Sequence, residues 1–210
     1  MNSRSTLAAL AAAVVLFIWQ SVSHMFIPWF HNSLNGFENE QAMEEAILAN
    51  ARVDGKLKDG MYMLPNVNIH DKSRDKKDIV ADQEAAQKQM AEGVSIFAAV
   101  VTQGRSGMGE SLIKQFLFNF IGTLLVTFLL TKLSHDGMGC RMGVTVFFSL
   151  FAIVTAVLPN WAWWAYSGTH TGFLIFDHLI GWILAGYVLA KLVPKIETDK
   201  PAMPDAESEA

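Results

Sequence analysis

The chain has 210 residues, of which 51% are hydrophobic, and its formal net charge is −4. This acidic balance gives no indication of a nucleic-acid partner, because nucleic-acid-binding proteins carry clustered basic residues. One cysteine, Cys140, excludes an internal disulfide. No CxxC, HExxH or EF-hand motif indicates a metal site.

The hydrophobic residues are concentrated in long runs without charge, which cover 7–37, 115–131 and 142–176. A hydrocarbon core of ~30 Å requires about 20 apolar residues in a helix. The runs therefore predict four transmembrane helices, near 6–30, 112–131, 142–158 and 173–193, with Pro159 ending the third. The predicted fold is an all-α membrane protein, a four-helix bundle with a small inserted domain.

The first predicted helix has an alternative interpretation as a cleaved signal peptide. Arg4 would form the basic region, and Ser21 and Ser23 have the small size that a cleavage site needs. The apolar segment continues past these serines, however, and Trp19 and Trp29 resemble interfacial anchors. A retained first transmembrane helix, within residues 1–31, is the favoured interpretation.

The segment 32–111 is rich in charge and predicts a water-exposed α+β domain. Residues 38–52 and 78–93 have helical patterns, whereas 60–66 and 94–102 have the composition of strands. The remaining parts are three transmembrane helices within 112–194 and a disordered tail, 195–210. A domain of this size buries little surface and is expected to depend on the helices or on a partner.

The orientation follows from basic residues next to the ends of the spans. These residues are Arg4, Lys132, Arg141, Lys191 and Lys195, and with four spans they share one side of the membrane. The connection 159–172 has neither Lys nor Arg. We therefore expect a multi-pass protein of the cell inner (plasma) membrane with both termini cytoplasmic and an extracytoplasmic domain.

Each predicted span carries one stripe of small or polar residues, which usually faces other helices because lipid offers no hydrogen bonds. The stripes are Gln20, His24 and His31; Asn119, Thr123, Thr127 and Thr131; Thr145, Ser149, Ala152, Ala156 and Asn160; and Asp177, Gly181 and Ala185. Their most polar members fall near one depth in the outer leaflet. They predict a polar pocket formed by His24, Asn119, Asn160, Asp177 and His178.

This pocket has two interpretations. In the functional one it binds a cofactor or ligand, with His24 as the partner of Asp177, because Asp177 and His178 are adjacent and point apart on a helix. In the other, the same groups only hydrogen-bond across helices and fix their packing, as polar residues in membranes commonly do.

Three segments form a recognisable pattern: Trp19, His24-Met25 and Pro28-Trp29 give W-x4-HM-x2-PW, followed by 159–163 (PNWAW) and by Asp177-x3-Gly181-Trp182-x2-Ala185-Gly186. The pattern is similar to that of a group of bacterial four-helix inner-membrane proteins whose activity is uncharacterised. The resemblance covers the first, third and fourth spans. It implies a membrane location and no particular activity.

Since no catalytic constellation is evident, we expect a non-enzymatic accessory or assembly factor in contact with the lipid bilayer and, through residues 32–111, with another envelope protein. One alternative is a redox protein that binds haem, quinone or metal, using His24 and His178. Another is a small transporter using Asp177 and His24, although transporter sites usually lie nearer the midplane. The sequence assigns no particular cofactor.

Overall fold

A computed structural model describes residues 2–105, 107–133 and 137–194 of the chain. The described residues are mainly helical and include four long apolar helical segments. They are α1 (Ser3–Met25), α5 (Met108–Leu130), the continuous segment Met138–Trp163 and α8 (Gly168–Leu192). Each is long and apolar enough to cross a membrane, since 23 residues of α1 span about 35 Å. Four such helices are compatible with a multi-pass membrane protein.

Helix α1 packs against both α5 and α8, and α6 (Met138–Ala152) packs mainly against α8. Small side chains make these close approaches possible. Ala9, Ala12 and Ala13 of α1 are fully buried, and a Cβ at Gly181 would lie 2.7 Å from Leu16 Cδ1. Such stripes of small residues are typical of helix contacts in membranes.

The predicted stripe of α8 is buried, as are Asn119, Thr123 and Thr127 of α5. Of the third stripe only Thr145 and Ser149 are buried, whereas Ala156 is exposed. The hydroxyl of Thr123 donates to the carbonyl of Ala9 at 2.9 Å, which joins α5 to α1. The prediction for α1 was wrong at His31. That residue is exposed and belongs to a separate short helix, α2 (Pro28–Asn32), because α1 ends before Pro28.

The buried stripe of α1 consists of other residues: Ser5, Ala8, Ala9, Ala12, Ala13, Leu16 and Ser23. The structure thus gives the first helix a central place among the others. Whether it is cleaved in the cell stays a matter of prediction, but its removal would expose faces of both α5 and α8.

The prediction that Pro159 ends the third span was wrong. Helix α6 continues through a π-helical turn (Ile153–Val157) into α7 (Leu158–Trp163). The amide of Leu158 donates to the carbonyl of Ile153, a wider turn than that of an α-helix. Pro159 then lies in the first turn of the resumed helix, a position where a residue without an N–H is tolerated.

The inserted domain, residues 33–107, contains the two helices and two strands that the sequence predicted. They are α3 (Glu40–Asn50), β3 (Gly60–Leu64), α4 (Lys76–Glu92) and β4 (Ile96–Val100). Strands β3 and β4 pair antiparallel, with Gly60 opposite Val100 and Leu64 opposite Ile96. Asn39 caps α3 by accepting from the amide of Ala42 at 2.9 Å.

A small hairpin of β1 (Arg52–Val53) and β2 (Lys56–Leu57) was not predicted. Its turn residues Asp54 and Gly55 have φ values of 52° and 75°, as a two-residue hairpin turn requires. The domain touches the helices where Phe97 stacks on Trp164, with ring centroids 4.2 Å apart. The predicted tail, 195–210, lies outside the described residues.

Candidate functional site

A cavity of about 370 Å³ lies between α1, α5 and α8. We call it the His24 cavity. It is lined by Phe17, Gln20, Ser21, His24, Met25, Leu112, Gln115, Asp177 and His178. Three of the five residues that the sequence singled out, His24, Asp177 and His178, therefore line one cavity. Its volume is within the range of small-molecule sites, ~300–1,000 Å³.

Asp177 is held in place by α1. Only 7% of its surface is exposed, and the hydroxyl of fully buried Ser23 donates to its Oδ1 at 2.5 Å. The indole Nε1 of Trp19 donates to the backbone carbonyl of Asp177 at 3.0 Å. The prediction that His24 is the partner of Asp177 was wrong, because the side chain that donates to Asp177 is that of Ser23.

His24 reaches Asp177 only through Ser23. Its Nδ1 lies 3.0 Å from the carbonyl oxygen of Gln20 and 3.1 Å from Ser23 Oγ. A carbonyl oxygen can only accept, so the contact with Gln20 corresponds to the tautomer that carries its proton on Nδ1 and leaves Nε2 as an acceptor. The rings of Phe30 and Phe173 flank the imidazole, with centroids 4.8 and 5.2 Å away.

Asn119 joins the cavity through two glutamines. Its amide nitrogen donates to Gln20 Oε1 at 2.7 Å, and its oxygen accepts from Gln115 Nε2 at 3.1 Å. Gln115 Nε2 also lies 3.1 Å from Gln20 Oε1. These amides link α1 to α5, and Gln20 and Gln115 line the cavity, whereas Asn119 does not. Asn119 is itself only 5% exposed.

Asn160 does not line the His24 cavity. Its amide donates to the carbonyl of Ala156 at 2.8 Å, within its own helical segment. The predicted stripe continued α-helical spacing from Thr145 to Asn160, whereas the π turn inserts about one residue and rotates the next helical turns by roughly 100°. Ser149, which precedes the turn, still faces α8 and donates to the carbonyl of His178 at 3.4 Å.

The charge of the cavity is one-sided. Asp177 is the only Asp, Glu, Lys or Arg among the lining residues in the described part of the chain, and its Oδ1 accepts from the hydroxyl of Ser23. The same part of the chain has no cluster of three or more His, Cys, Asp or Glu side chains that could hold a metal ion. The arrangement suits a neutral molecule that makes hydrogen bonds.

Ser23 is the residue that sequence reasoning missed as part of this site. A signal for it was present: Ala9, Ala12, Leu16 and Ser23 recur at helical spacing, so Ser23 shares the buried face of α1. The prediction took the more polar Gln20 and His24 as the interior face of α1, whereas the buried face is rotated about the helix axis toward Ser23.

Comparisons with protein-family models, curated proteins and solved structures find no match to this chain. Any function assigned to the chain therefore rests on its own residues and their geometry. The binding role of the predicted pocket stays a prediction.

Proposed function

We propose that this protein is a non-enzymatic accessory protein of the inner membrane that binds a neutral, hydroxyl-bearing amphipathic molecule of the quinol type in the His24 cavity. The observation that carries this proposal is the fixed imidazole of His24. Since Nδ1 is engaged by Gln20 and Ser23, Nε2 offers the ligand an acceptor of defined direction.

The surroundings favour a ring-shaped head group with a hydroxyl. Phe17 and Leu112 supply apolar contacts, and the side chains of Gln20 and Gln115 add polar groups. With no lysine or arginine among the lining residues of the described chain, a phosphate head group would lack a counter-charge beside Asp177. A quinol suits this lining because its uncharged ring is apolar and its hydroxyls can donate hydrogen bonds to the polar side chains.

The apolar tail of such a molecule would leave toward the lipid. Met25 and Leu112 line the cavity and are 56% and 39% exposed, so they form an apolar path from the cavity to the outer face of the helices. In the orientation proposed from the basic residues, with both termini cytoplasmic, this path opens into the outer leaflet.

The test is calorimetric titration of the purified protein in detergent with a short-chain benzoquinol and with its dimethyl ether, which has no hydroxyl to donate. We expect saturable binding of the quinol and about tenfold weaker binding of the ether, since an acceptor would be left unpaired. Equal affinities, or preferential binding of phosphatidylglycerol, would contradict the proposal. A Soret band in the visible spectrum would instead assign the cavity to haem.

Two histidine variants locate the site. His24→Asn removes Nε2 but retains a donor near the backbone, and it should weaken quinol binding by about tenfold. His31→Asn is the matched control, because His31 is exposed and does not line the cavity. Equal losses in both variants would place the binding site elsewhere.

A further inference from the structure

The inserted domain has a second cavity, a groove of about 680 Å³ between α3 and β4. We call it the β4 groove. Its lining residues are Asn35, Gly36, Phe37, Glu40, Met43, Glu44, Ile47, Leu48, Ala98, Ala99, Val100, Val101, Thr102 and Gly104. The groove is separate from the His24 cavity and shares no residue with it.

The groove runs along the edge of β4 and not across a face of the sheet. Residues 98–102 line it without interruption, although successive side chains of a strand point to opposite faces. Strand β3 contributes no lining residue, as it would if a sheet face formed the floor. Since β3 pairs with β4 along its other edge, the groove exposes the unpaired edge of β4.

The backbone of this edge is available for pairing. Within the described residues, the backbone–backbone hydrogen bonds of β4 are those of its ladder with β3. Beyond the strand, the amide of Thr102 is taken by Asp59 Oδ1 at 2.8 Å, next to the first residue of β3. An exposed edge of this kind is a template for an additional strand.

The opposite wall, supplied by α3, indicates what that strand would carry. Met43, Ile47 and Leu48 are half-buried and form an apolar stripe, whereas Glu40 and Glu44 are exposed on the same side. In the described part of the chain, no lysine or arginine lines the groove. The wall therefore complements apolar and basic side chains.

We propose that the β4 groove binds an extended segment of an envelope protein, which adds as a strand to the free edge of β4 and places basic side chains beside Glu40 and Glu44. Backbone hydrogen bonds to β4 supply the affinity, and the apolar and acidic groups of α3 select the sequence. This interaction does not depend on occupation of the His24 cavity.

The test uses the full-length protein in nanodiscs and a fluorescent ten-residue peptide of alternating lysine and valine. We expect saturable binding, and we expect the peptide to lose it when alternate backbone nitrogens are methylated, because N-methylation removes the donors that strand addition uses. Unchanged affinity of the methylated peptide would overturn strand addition. Absence of binding up to about 1 mM peptide would overturn the proposal as a whole.

Adjacent glutamates of α3 provide matched variants. Glu44→Lys reverses a charge that lines the groove and should weaken binding about fivefold, whereas Glu45→Lys makes the same change outside it. Glu45 only accepts a hydrogen bond from Gln41 on the exposed surface. Equal effects of the two variants would show a nonspecific charge effect and overturn the site. A dimer that Glu44→Lys dissociates would overturn the choice of partner, because a second copy would occupy the groove.

Discussion

The four long helices and the inserted domain bury their side chains to very different extents. The helices enclose a continuous apolar cluster that includes Leu16, Leu130 and Leu189. In the described part of the domain, the buried apolar residues are only Ala51, Pro65 and Ala86. The comparison indicates that stability is concentrated in the helices, whereas the domain leaves apolar surface exposed that a partner could cover.

The largest effect on this comparison is expected at Arg141. Its guanidinium is 3% exposed and donates to the carbonyls of Val193 and Ala190 near the end of α8, where a cation is favoured by the helix dipole. Arg141→Met should lower the free energy of unfolding by about 3 kcal/mol, because these carbonyls lose their donor.

The control for Arg141 is Lys132→Met, since Lys132 is an exposed residue just after the end of α5. Unfolding in mixed micelles by increasing dodecyl sulfate measures both variants. Similar stabilities of the two would mean that the buried arginine does not hold α8 in place.

A second effect concerns the contact between α6 and α8. A Cβ at Gly186 would lie 2.8 Å from Thr145 Cγ2, whereas a Cβ at Gly143 of α6 meets nothing within 4 Å. Gly186→Ala should cost about 2 kcal/mol by overpacking. Gly143→Ala should be neutral or stabilising by about 0.5 kcal/mol, from helix propensity. The same unfolding assay would contradict the close packing if both variants behaved alike.

A smaller effect is expected at Ser23. Ser23→Ala leaves the carboxylate of Asp177 without its donor and should lower stability by about 1 kcal/mol. Quinol affinity should also fall, because Nδ1 of His24 loses one of its two acceptors. Ser21→Ala is the control, since the Ser21 hydroxyl lines the cavity but donates to the carbonyl of Phe17 in its own helix. A larger loss of quinol affinity in Ser21→Ala than in Ser23→Ala would contradict the role given to Ser23.

The smallest effect lies in the domain and depends on pH. The amide and hydroxyl of Thr102 donate to Asp59 and lower the pKa of its carboxyl. A lowered pKa in the folded state stabilises the domain above the ordinary aspartate pKa of ~3.9. That contribution is lost as the pH falls through the lowered value, so the link between 59 and 102 should weaken only in acid.

Near-ultraviolet circular dichroism between about pH 5 and about pH 2.5 follows this loss. Asp59→Asn should reduce the acid transition, whereas Asp54→Asn, in the hairpin turn, should retain it. An unchanged transition in Asp59→Asn would show that another group controls it.

Sequence patterns were sufficient to locate the four long apolar helices and the main helices and strands between the first two. Long uncharged segments identify membrane helices with little ambiguity, and the domain elements followed from helical spacing around 38–52 and 78–93 and from strand composition around 60–66 and 94–102. The division into apolar helices and a charged inserted segment was predictable because both kinds of region are defined by their local composition.

The details of the site were less predictable because they depend on helix register. Ser23 and His24 are adjacent, and a rotation of about 100° decides which of them faces Asp177. The π turn before Pro159 changed the register again and turned Asn160 away from the cavity. Neither the pairing with Ser23 nor this turn is a local property of composition, since both depend on contacts between distant segments.

The central claim is that four helices cross the membrane and place the inserted domain opposite the connection between α5 and α6. The native cysteine tests this directly, because Cys140 is exposed near that connection. A membrane-impermeant maleimide, applied to intact cells, should label Ser95→Cys in a Cys140→Ala background and should not label Cys140 in the native chain until the cells are permeabilised. Labelling of both cysteines in intact cells would contradict the account.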